Sequence, residues 1–261
     1  MKSAYQEIMD IRGKGVPKSG QTRVIGSDPV FSTKFKIGET CAAIMTGIGM
    51  AVSDIWELKT GRPQTSVINV RHAAAAMRSS EYMRRTNLNG TLESVIANSH
   101  NEMRRITQPW RTKDGRWFLP HFGLPNLRDR VLGVLGCKPN PKSVAAAVSK
   151  WNAIDLENAI DEARACGAMV RSHTEWLGHP HGQVLAAKPV VEIIKIGESD
   201  PEPFPDGDRP LSGIRALDLT RILAGPIAAR TLAEHGAEVL MITKNGLPQI
   251  HHHVLDTSHG K

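Results

Sequence analysis

The sequence predicts an α/β fold, with Rossmann-like parallel βαβ elements and a small subdomain built from a hairpin and helices. Three observations carry this prediction. After residue 211, an extended run, a helical run and a second extended run follow one another. An Asp-Gly pair at 114–115 joins two short extended runs. Several short helical patterns follow that hairpin.

The first 106 residues predict mainly helices. The expected elements are a helix over 1–12, a connector over Gly13–Pro29, a long helix over Gly38–Leu58, a strand over 66–71, and helices over 72–85 and 92–106. The long helix carries many small and apolar residues, which favour close packing against another element. It should stop at Thr60-Gly61, because Gly readily ends a helix.

The middle of the chain predicts the small subdomain. The hairpin over Trp110–Trp117 is followed by helices expected over Asn126–Leu135, Ser143–Trp151 and Asp155–Cys166, and by one more turn over Thr174–Gly178. Gly167 is expected to cap the third of these helices. A strand is expected over 190–196, and the Pro-rich, acidic stretch after it is the clearest linker in the sequence.

Beyond the linker, the runs GIRALDL, AGPIAARTLAEHG and AEVLMI predict strand, helix and strand, with lengths that fit a parallel crossover unit. Gly225 permits close backbone approach, and Pro226 suits the first helical position. Open α/β sheets bind ligands at the carboxyl ends of their strands, where the turn over Ile222–Ala224 should lie. The predicted division is 1–105 helix-rich, 106–186 small subdomain, 187–210 strand and linker, and 211–261 the start of a Rossmann-like domain.

Composition sets broad limits on the class of protein. The 261 residues are 40% hydrophobic and 23% charged, which is ordinary for a globular protein. We expect no membrane span, since no stretch approaches the roughly 20 apolar residues required, and the polar start lacks a secretory signal. The three cysteines, Cys41, Cys137 and Cys166, are odd in number and widely spaced, which favours reduced thiols and a cytoplasmic location.

The positive charge is concentrated between Lys59 and Arg116. Eleven Lys and Arg residues stand there against four acids, and this excess equals the net charge of +7 of the whole chain. Such a stretch suits a phosphate-rich ligand, a solvated helix face, or a surface that meets acidic residues elsewhere. Nucleic acid is the weakest alternative, because no zinc-finger, RNP-like or helix-turn-helix pattern is present.

The run Leu211–Ile242 resembles the opening strand, helix and strand of family III CoA-transferases. Members of that family open with Leu-x-Gly-Ile-[Arg/Lys]-x-Leu-Asp-Leu-[Thr/Ser], then a [Leu/Gln]-Ala-Gly-Pro turn, then a helix ending in Leu-Gly-Ala-[Glu/Asp]-Val-[Ile/Leu]. The matching pieces here are Leu211–Thr220, Leu223–Pro226 and His235–Leu240. DTSHGK, over 256–261, resembles the Asn-x-Gly-Lys-Arg stretch that follows in the family.

Earlier segments resemble later parts of the same family. Residues 37–77 are similar to a segment from the second half of its large domain, Trp110–Trp117 to the hairpin that opens its small domain, and Thr174–Pro180 to the end of that domain. The family's second half therefore comes first, and its beginning comes at 211. This order leads us to expect a tandem or fused arrangement, truncated within its second unit.

The resemblance implies transfer of CoA between carboxylic acids through an acyl group held on an Asp carboxylate as a mixed anhydride. The position of that Asp falls outside both matching segments, so no catalytic residue is assigned. Two alternatives stay open: an acyl-CoA racemase or epimerase of the same superfamily, which would use a His/Asp pair, and a non-catalytic binding or assembly half. The family also implies acyl-CoA and carboxylic acid substrates, no tightly bound cofactor, and a homodimer or fused pseudo-dimer.

Part of a CoA site is implied by the matching positions. In the family, the turn after the first strand packs on the adenine, and a basic residue after the second strand meets a phosphate. These positions are Ile222, Leu223 and Ala224 for the adenine, and Lys244 for the phosphate. Lys keeps the charge of the more common Arg but loses its bidentate geometry. The alternatives are a merely buried turn and a surface lysine.

Other residues suggest chemistry less strongly. His251, His252, His253 and His259, with Asp256, could suggest a metal, but three consecutive histidines cannot all face one ion, so we expect a solvated loop. His179 and His181 are expected in a turn, and Cys166 lacks the partners of a nucleophile. Asp28 is expected to form a turn before Pro29 and not to act as a nucleophile. We expect Asp218 to make a structural hydrogen bond to the turn that follows it.

Overall fold

A computed structural model describes residues 3–18 and 20–261. By internal contacts the chain forms two compact units. Unit 1 contains the described residues up to Met83, together with Pro189–Thr243 and His253–Lys261, and unit 2 contains Arg84–Lys188 and Lys244–His252. The domain boundaries expected from the sequence stay a prediction.

The first part of unit 1 alternates helices with a parallel pair of strands. Its elements are α1 (Ala4–Arg12), β1 (Thr22–Ile25), α2 (Ile37–Thr60), β2 (Ser66–Asn69), α3 (Val70–Ala76) and a 3₁₀ turn (Ser79–Tyr82). Strand β1 pairs in parallel with β2, with Thr22 opposite Ser66. The helix predicted over 1–12 is confirmed over Ala4–Arg12, with Met1 and Lys2 outside the described residues, and the end of α2 at left-handed Gly61 is confirmed.

Three expectations for this part are wrong in detail. The helix expected over 72–85 ends at Ala76, and the 3₁₀ turn over Ser79–Tyr82 follows it. The connector over Gly13–Pro29 contains strand β1, whose hydrogen-bonding partner lies more than forty residues further along the chain. The strand expected over 66–71 ends at Asn69, because the side chain of Asn69 accepts hydrogen bonds from the N–H groups of Arg71 and His72 and so begins α3.

Helix α2 is the central element of this part. By length and composition alone it could cross a membrane, contrary to the sequence-based expectation that no stretch comes close. It nevertheless packs within unit 1: Cys41 and Ala42 are buried with Val70 and Ala73. A single helix of this kind does not establish a membrane span, because packed core helices pass the same test of length and composition.

Unit 2 begins with an antiparallel hairpin. Strands β3 (Arg84–Thr86) and β4 (Leu92–Ser94) precede α4 (Asn98–Ile106), so the helix expected over 92–106 is wrong at its start. The side chain of Asn87 accepts hydrogen bonds from the N–H groups of Asn89 and Thr91, and Gly90 has a φ of +78°. Both features turn the chain back on itself and favour the hairpin over a continuous helix.

The rest of unit 2 is the predicted hairpin with helices. It contains β5 (Trp110–Arg111), β6 (Trp117–Pro120), α5 (Pro125–Leu135), α6 (Pro141–Val148), α7 (Ala153–Glu162), β7 (Gly167–Met169), α8 (His173–Gly178) and α9 (Pro180–Ala186). Its core includes Phe118, Phe122 and Val144, each fully buried. Gly167 does not cap α7: it pairs with Pro120 in the sheet, and Arg164 takes the left-handed conformation instead.

The second part of unit 1 follows an exposed connector. The strand expected over 190–196 is wrong: no strand forms there, and Val190 and Ile196 are 75% and 98% exposed. β-propensity alone does not make a strand, because the backbone groups need a partner strand. The chain then forms β8 (Arg215–Asp218), α10 (Ala224–Glu234), β9 (Glu238–Met241) and α11 (His251–Thr257).

Strands β8 and β9 are parallel, with Arg215 opposite Glu238, and α10 lies between them in the chain. The predicted parallel βαβ unit is therefore confirmed. Small residues make its core: Ala229 and Ala233 of α10 pack with Val239 of β9 and with Ala237 just before it. Together with the helices and hairpin of unit 2, this gives the predicted α/β class.

Candidate functional site

The candidate site lies at the carboxyl end of β8, where the chain turns into α10. Asp218 is the last residue of the strand and is 2% exposed. Its Oδ1 atom accepts hydrogen bonds from the backbone N–H of Thr220 at 2.9 Å and from the hydroxyl of Thr220 at 2.5 Å. The expected structural hydrogen bond from Asp218 to the following turn is thus confirmed.

The turn that should meet the adenine contains a strained residue. Ile222 has a φ of +72°, in the left-handed region that β-branched residues rarely occupy. Leu223, the residue before α10, is 37% exposed, and Ala224 begins the helix and is also exposed. Ile222 itself is half-buried. The structure therefore places the three predicted residues together, as a tight turn with part of its apolar surface open.

Gly225 lies where no side chain fits. A Cβ atom there would be 2.4 Å from the Cβ atom of Thr220, closer than real Cβ atoms approach other atoms. The neighbour that fills this space is this chain's own Thr220, and close approach of a ligand to Gly225 stays a prediction. Pro226 is the third residue of α10 and not the first, because the helix already begins at Ala224.

A buried ion pair fixes the same region. The Lys261 Nζ atom lies 2.7 Å from Asp218 Oδ2 and donates a second hydrogen bond to the Pro226 carbonyl at 2.9 Å. The two charged side chains are 1% and 0% exposed. Burial alone would raise the pKa of Asp218, but the hydrogen bonds from Lys261 and Thr220 outweigh it and hold that pKa below its ordinary value.

The segment that carries Lys261 is attached to α10 by a second polar cluster. Arg230 Nη1 lies 2.9 Å from Asp256 Oδ2, and the Ser79 hydroxyl donates to the same oxygen at 2.7 Å. Asp256 is 5% exposed, so this pair is also largely removed from water. Sequence reasoning missed Lys261, Asp256 and Arg230 as interacting residues; the resemblance over 256–261 was the available signal.

Lys244 lies in unit 2, three residues after β9 ends at Met241. It is exposed, and its carbonyl accepts a 3.4 Å hydrogen bond from the N–H of Leu247, which closes a short turn. The turn over Ile222–Ala224 belongs to unit 1.

The histidine triplet is helical, which corrects the expected solvated loop. His251 begins α11, and His252 is 2% exposed, with its ring centroid 4.5 Å from that of His100. Burial lowers the pKa of His253. Among residues 3–18 and 20–261, no group of three or more His, Cys, Asp or Glu side chains could hold a metal ion.

Asp28 holds the beginning of α2. Its carboxylate accepts hydrogen bonds from the N–H groups of Val30, Gly38 and Glu39, and these bonds, led by that from Glu39, lower its pKa. It is therefore a turn residue before Pro29, as expected, and it also supplies the cap that Lys36 does not provide.

Two other groups weighed from the sequence have local partners. The ring of His179 accepts a hydrogen bond from the N–H of His181 at the start of α9 and stacks on Trp176. The basic stretch over 59–116 does not form one helix face: Arg111 lies over the ring of Trp117, and Arg116 pairs with Glu175. Cys41 is buried and Cys166 exposed, and both are free thiols.

Comparison with known proteins finds similarity to CoA-transferases over part of the chain. Residues 211–250 match the model of CoA-transferase family III. The chain is 32% identical over 165 residues to acetyl-coenzyme A transferase nodX of Hypoxylon pulicicidum, and 31% identical over 160 residues to an acyl-CoA transferase of Gibberella moniliformis. These alignments cover 56% and 55% of this chain but only 28% of each relative.

A solved structure of a CAIB/BAIF family protein from Brucella suis aligns with 63% of this chain and 48% of its own, at 11% identity and a TM-score of 0.43. The family-model match coincides with β8, α10 and β9, the elements that build the candidate site. Residues 211–250 thus resemble CoA-transferase family III, and about half of the chain is similar to the two curated transferases, of which it spans less than a third of the length.

Proposed function

We propose that this chain is part of an enzyme that transfers CoA between carboxylic acids, with CoA bound at the carboxyl end of β8. One observation carries the proposal: the residues that match the family model form a parallel βαβ unit whose turn exposes apolar surface beside a helix N-terminus. The names of the two curated relatives, an acetyl-CoA and an acyl-CoA transferase, support the same chemistry. CoA and acyl-CoA act as substrates, and no tightly bound cofactor is required.

The adenine of CoA packs on the turn over Ile222–Ala224. Leu223 and Ala224 keep apolar surface in contact with solvent, and a flat purine ring would remove that surface from water. The hydrogen bonds of Asp218 to Thr220 hold the turn before the ligand arrives. A preformed surface lowers the entropy lost on binding.

Two features suit the phosphates of CoA. The first turn of α10 leaves the N–H groups of Ala224 and Gly225 without acceptors inside the helix, and such groups favour anions. Lys244 supplies a cation; its assignment to a phosphate rests on its position in the sequence after β9 and on its exposure. As a compact ammonium group it would act as a point charge.

The acyl group is transferred through an aspartyl mixed anhydride. An Asp carboxylate attacks the thioester carbonyl and expels the CoA thiolate, which gives the mixed anhydride. The thiolate then attacks the aspartyl carbonyl of this anhydride, which releases the first carboxylic acid and leaves an aspartyl-CoA thioester. The second carboxylate attacks that thioester and expels the CoA thiolate again; the thiolate attacks the acyl carbonyl of the new anhydride, forms the product thioester and frees the Asp carboxylate. Neither Asp28 nor Asp218 is proposed for this step, because Asp28 holds the start of α2 and Asp218 is buried against Lys261. The proposal places the nucleophile outside these 261 residues.

The enzyme is proposed to act in the cytoplasm as a homodimer or a fused pseudo-dimer. The side chains of Leu217, Leu240 and Ile242 are 52–64% exposed, an apolar patch of the kind that protein partners cover. Light scattering on the purified chain tests this part: a monomeric mass at micromolar concentration would contradict a homodimer of this chain.

Calorimetry with CoA tests the binding site. The 261-residue chain is titrated with CoA alongside Lys244→Ala and a control, Lys150→Ala, which removes another exposed lysine of unit 2. Loss of one charged phosphate contact, worth about 1.5 kcal/mol, should weaken binding roughly tenfold. The control should bind CoA as the wild type does.

Two results would contradict the proposal. If the folded wild-type protein gives no binding heat with CoA, the proposal that this chain binds CoA is wrong. Equal losses in Lys244→Ala and Lys150→Ala would show that the chain attracts CoA only by its net positive charge.

A further inference from the structure

Lys261 is unusual because its charged side chain is almost completely buried. The side chain is 1% exposed, although lysine is almost never buried unless it is paired. Its partner, Asp218, is equally removed from water. A buried ion pair of this kind is weak support for stability by itself, because desolvation offsets much of the attraction. A role in fixing local geometry fits it better.

The ammonium group joins three parts of the turn. Through Asp218 Oδ2 it holds the end of β8, and through the Pro226 carbonyl it holds the first turn of α10. The other oxygen of Asp218 holds Thr220. These contacts therefore fix the chain on both sides of Ile222: at the end of β8 before it and at the first turn of α10 after it.

That segment needs an external constraint. Ile222 is left-handed, and a residue in such a conformation persists only where its surroundings determine it. Leu223 provides no side-chain cap for α10. The contacts of Asp218 and Lys261 therefore supply what the local sequence lacks.

Lys261 is itself carried to this position by packing on α10. The Asp256–Arg230 pair holds the preceding turn of chain, at 2.9 Å. A Cβ atom at Gly260 would lie 3.2 Å from the Ala233 Cβ, so the backbone passes close over the helix. The segment is thus placed by two separate contacts before Lys261 reaches Asp218.

We propose that Lys261 is a positioning residue for CoA: its bonds to Asp218 and Pro226 hold the turn over Ile222–Ala224 in the shape that receives the adenine. This proposal rests on the proposed function, since it assigns a determinant to the same site. Lys261 does not contact the ligand and acts only through the turn.

The experiment separates positioning from stability. Lys261→Met leaves a buried, unpaired carboxylate, so it should lower both stability and CoA affinity. The double variant Asp218→Asn with Lys261→Met removes that unpaired charge, so its urea midpoint should return toward the wild-type value. The bond from Lys261 to Pro226 is still missing in the double variant.

We expect the double variant to bind CoA at least tenfold more weakly than the wild type in calorimetry. Hydrogen exchange of the amides over 222–227 should be at least tenfold faster than in the wild type, because the turn is released. Lys59→Met is the matched control: Lys59 also bonds backbone carbonyls within unit 1, those of Arg209 and Ser212, and its loss should leave this exchange unchanged.

Recovery of wild-type CoA affinity together with stability in the double variant would overturn the proposal, as would unchanged exchange over 222–227. If the wild type itself binds no CoA, the proposed function fails. In that case, hydrogen exchange over 222–227 in Lys261→Met and in the double variant still tests whether Lys261 holds the turn.

Discussion

The Gly225→Ala substitution is a direct test of the turn before α10. Gly225 is helical, so by propensity alone alanine should stabilise the protein by up to about 1 kcal/mol. The added methyl group, however, would lie 2.4 Å from the Cβ atom of Thr220 and 2.6 Å from its Cγ2 atom. Steric overlap and helix propensity therefore predict opposite signs.

We expect the steric overlap with Thr220 to outweigh the gain in helix propensity. A Cβ atom cannot rotate away as the end of a long side chain can, so the backbone of the turn has to move. Overpacking of this kind costs about 1–3 kcal/mol, and more when backbone must shift. After subtraction of the propensity gain, we expect the free energy of unfolding to fall by about 1–2 kcal/mol.

Urea unfolding followed by circular dichroism measures this difference, with Gly133→Ala as the control. Gly133 lies in α5, and a Cβ atom there would meet nothing within 4 Å. The same substitution should therefore stabilise the protein at 133 by about 1 kcal/mol and destabilise it at 225.

A double-mutant cycle identifies the cause. In a Thr220→Gly background the overlapping atoms are gone, so Gly225→Ala should become neutral or stabilising, with a coupling energy of about 2 kcal/mol. If Gly225→Ala destabilises the protein equally in both backgrounds, or stabilises it in the wild type, the packing described for this turn is wrong.

Three further predictions concern backbone strain, an ion pair and the core of unit 2. Ile222→Gly should be about 0.5–1 kcal/mol more stable than Ile222→Ala in urea, because glycine relieves the left-handed φ; the reverse order would argue against that conformation. A hydrogen bond from Arg12 holds the pKa of Asp54 below its ordinary value of 3.8, so this pair stabilises the fold at neutral pH and the effect is lost as pH falls through the lowered pKa. Asp54→Asn should therefore cost about 1–3 kcal/mol at pH 7, and the difference from wild type should shrink below pH ~4 in acid titrations followed by circular dichroism. Phe118→Ala should cost about 3–5 kcal/mol by tryptophan fluorescence in urea, against about 1 kcal/mol for its neighbour Trp117→Ala, since the first is fully buried and the second 43% exposed; equal costs would contradict the assigned faces of the strand.

Local sequence patterns were sufficient to predict those elements whose contacts are made between residues close in sequence. The hairpin at Lys113–Gly115 forms as predicted, because the Asp-Gly turn and both short strands lie within eleven residues, Trp110–Pro120. The unit over 211–242 also follows its pattern, since small residues on one side of α10 pack directly on the adjoining strands. The three turn residues of the candidate site were predicted from that same contiguous segment.

Tertiary structure decided the features that depend on distant partners. Strand β1 forms inside a stretch rich in Gly and Ser because β2 supplies its hydrogen bonds, whereas residues 190–196, with stronger β-propensity, lack a partner strand and stay exposed. Lys261 and Asp218 are 43 residues apart, and neither residue's immediate neighbours indicate that the two meet. The amino-acid sequence by itself predicted the resemblance of residues 211–250 to CoA-transferase family III and the position of the turn. Only the folded chain shows which charge is buried beneath that turn, because a pairing energy depends on distance in space and on exclusion of water.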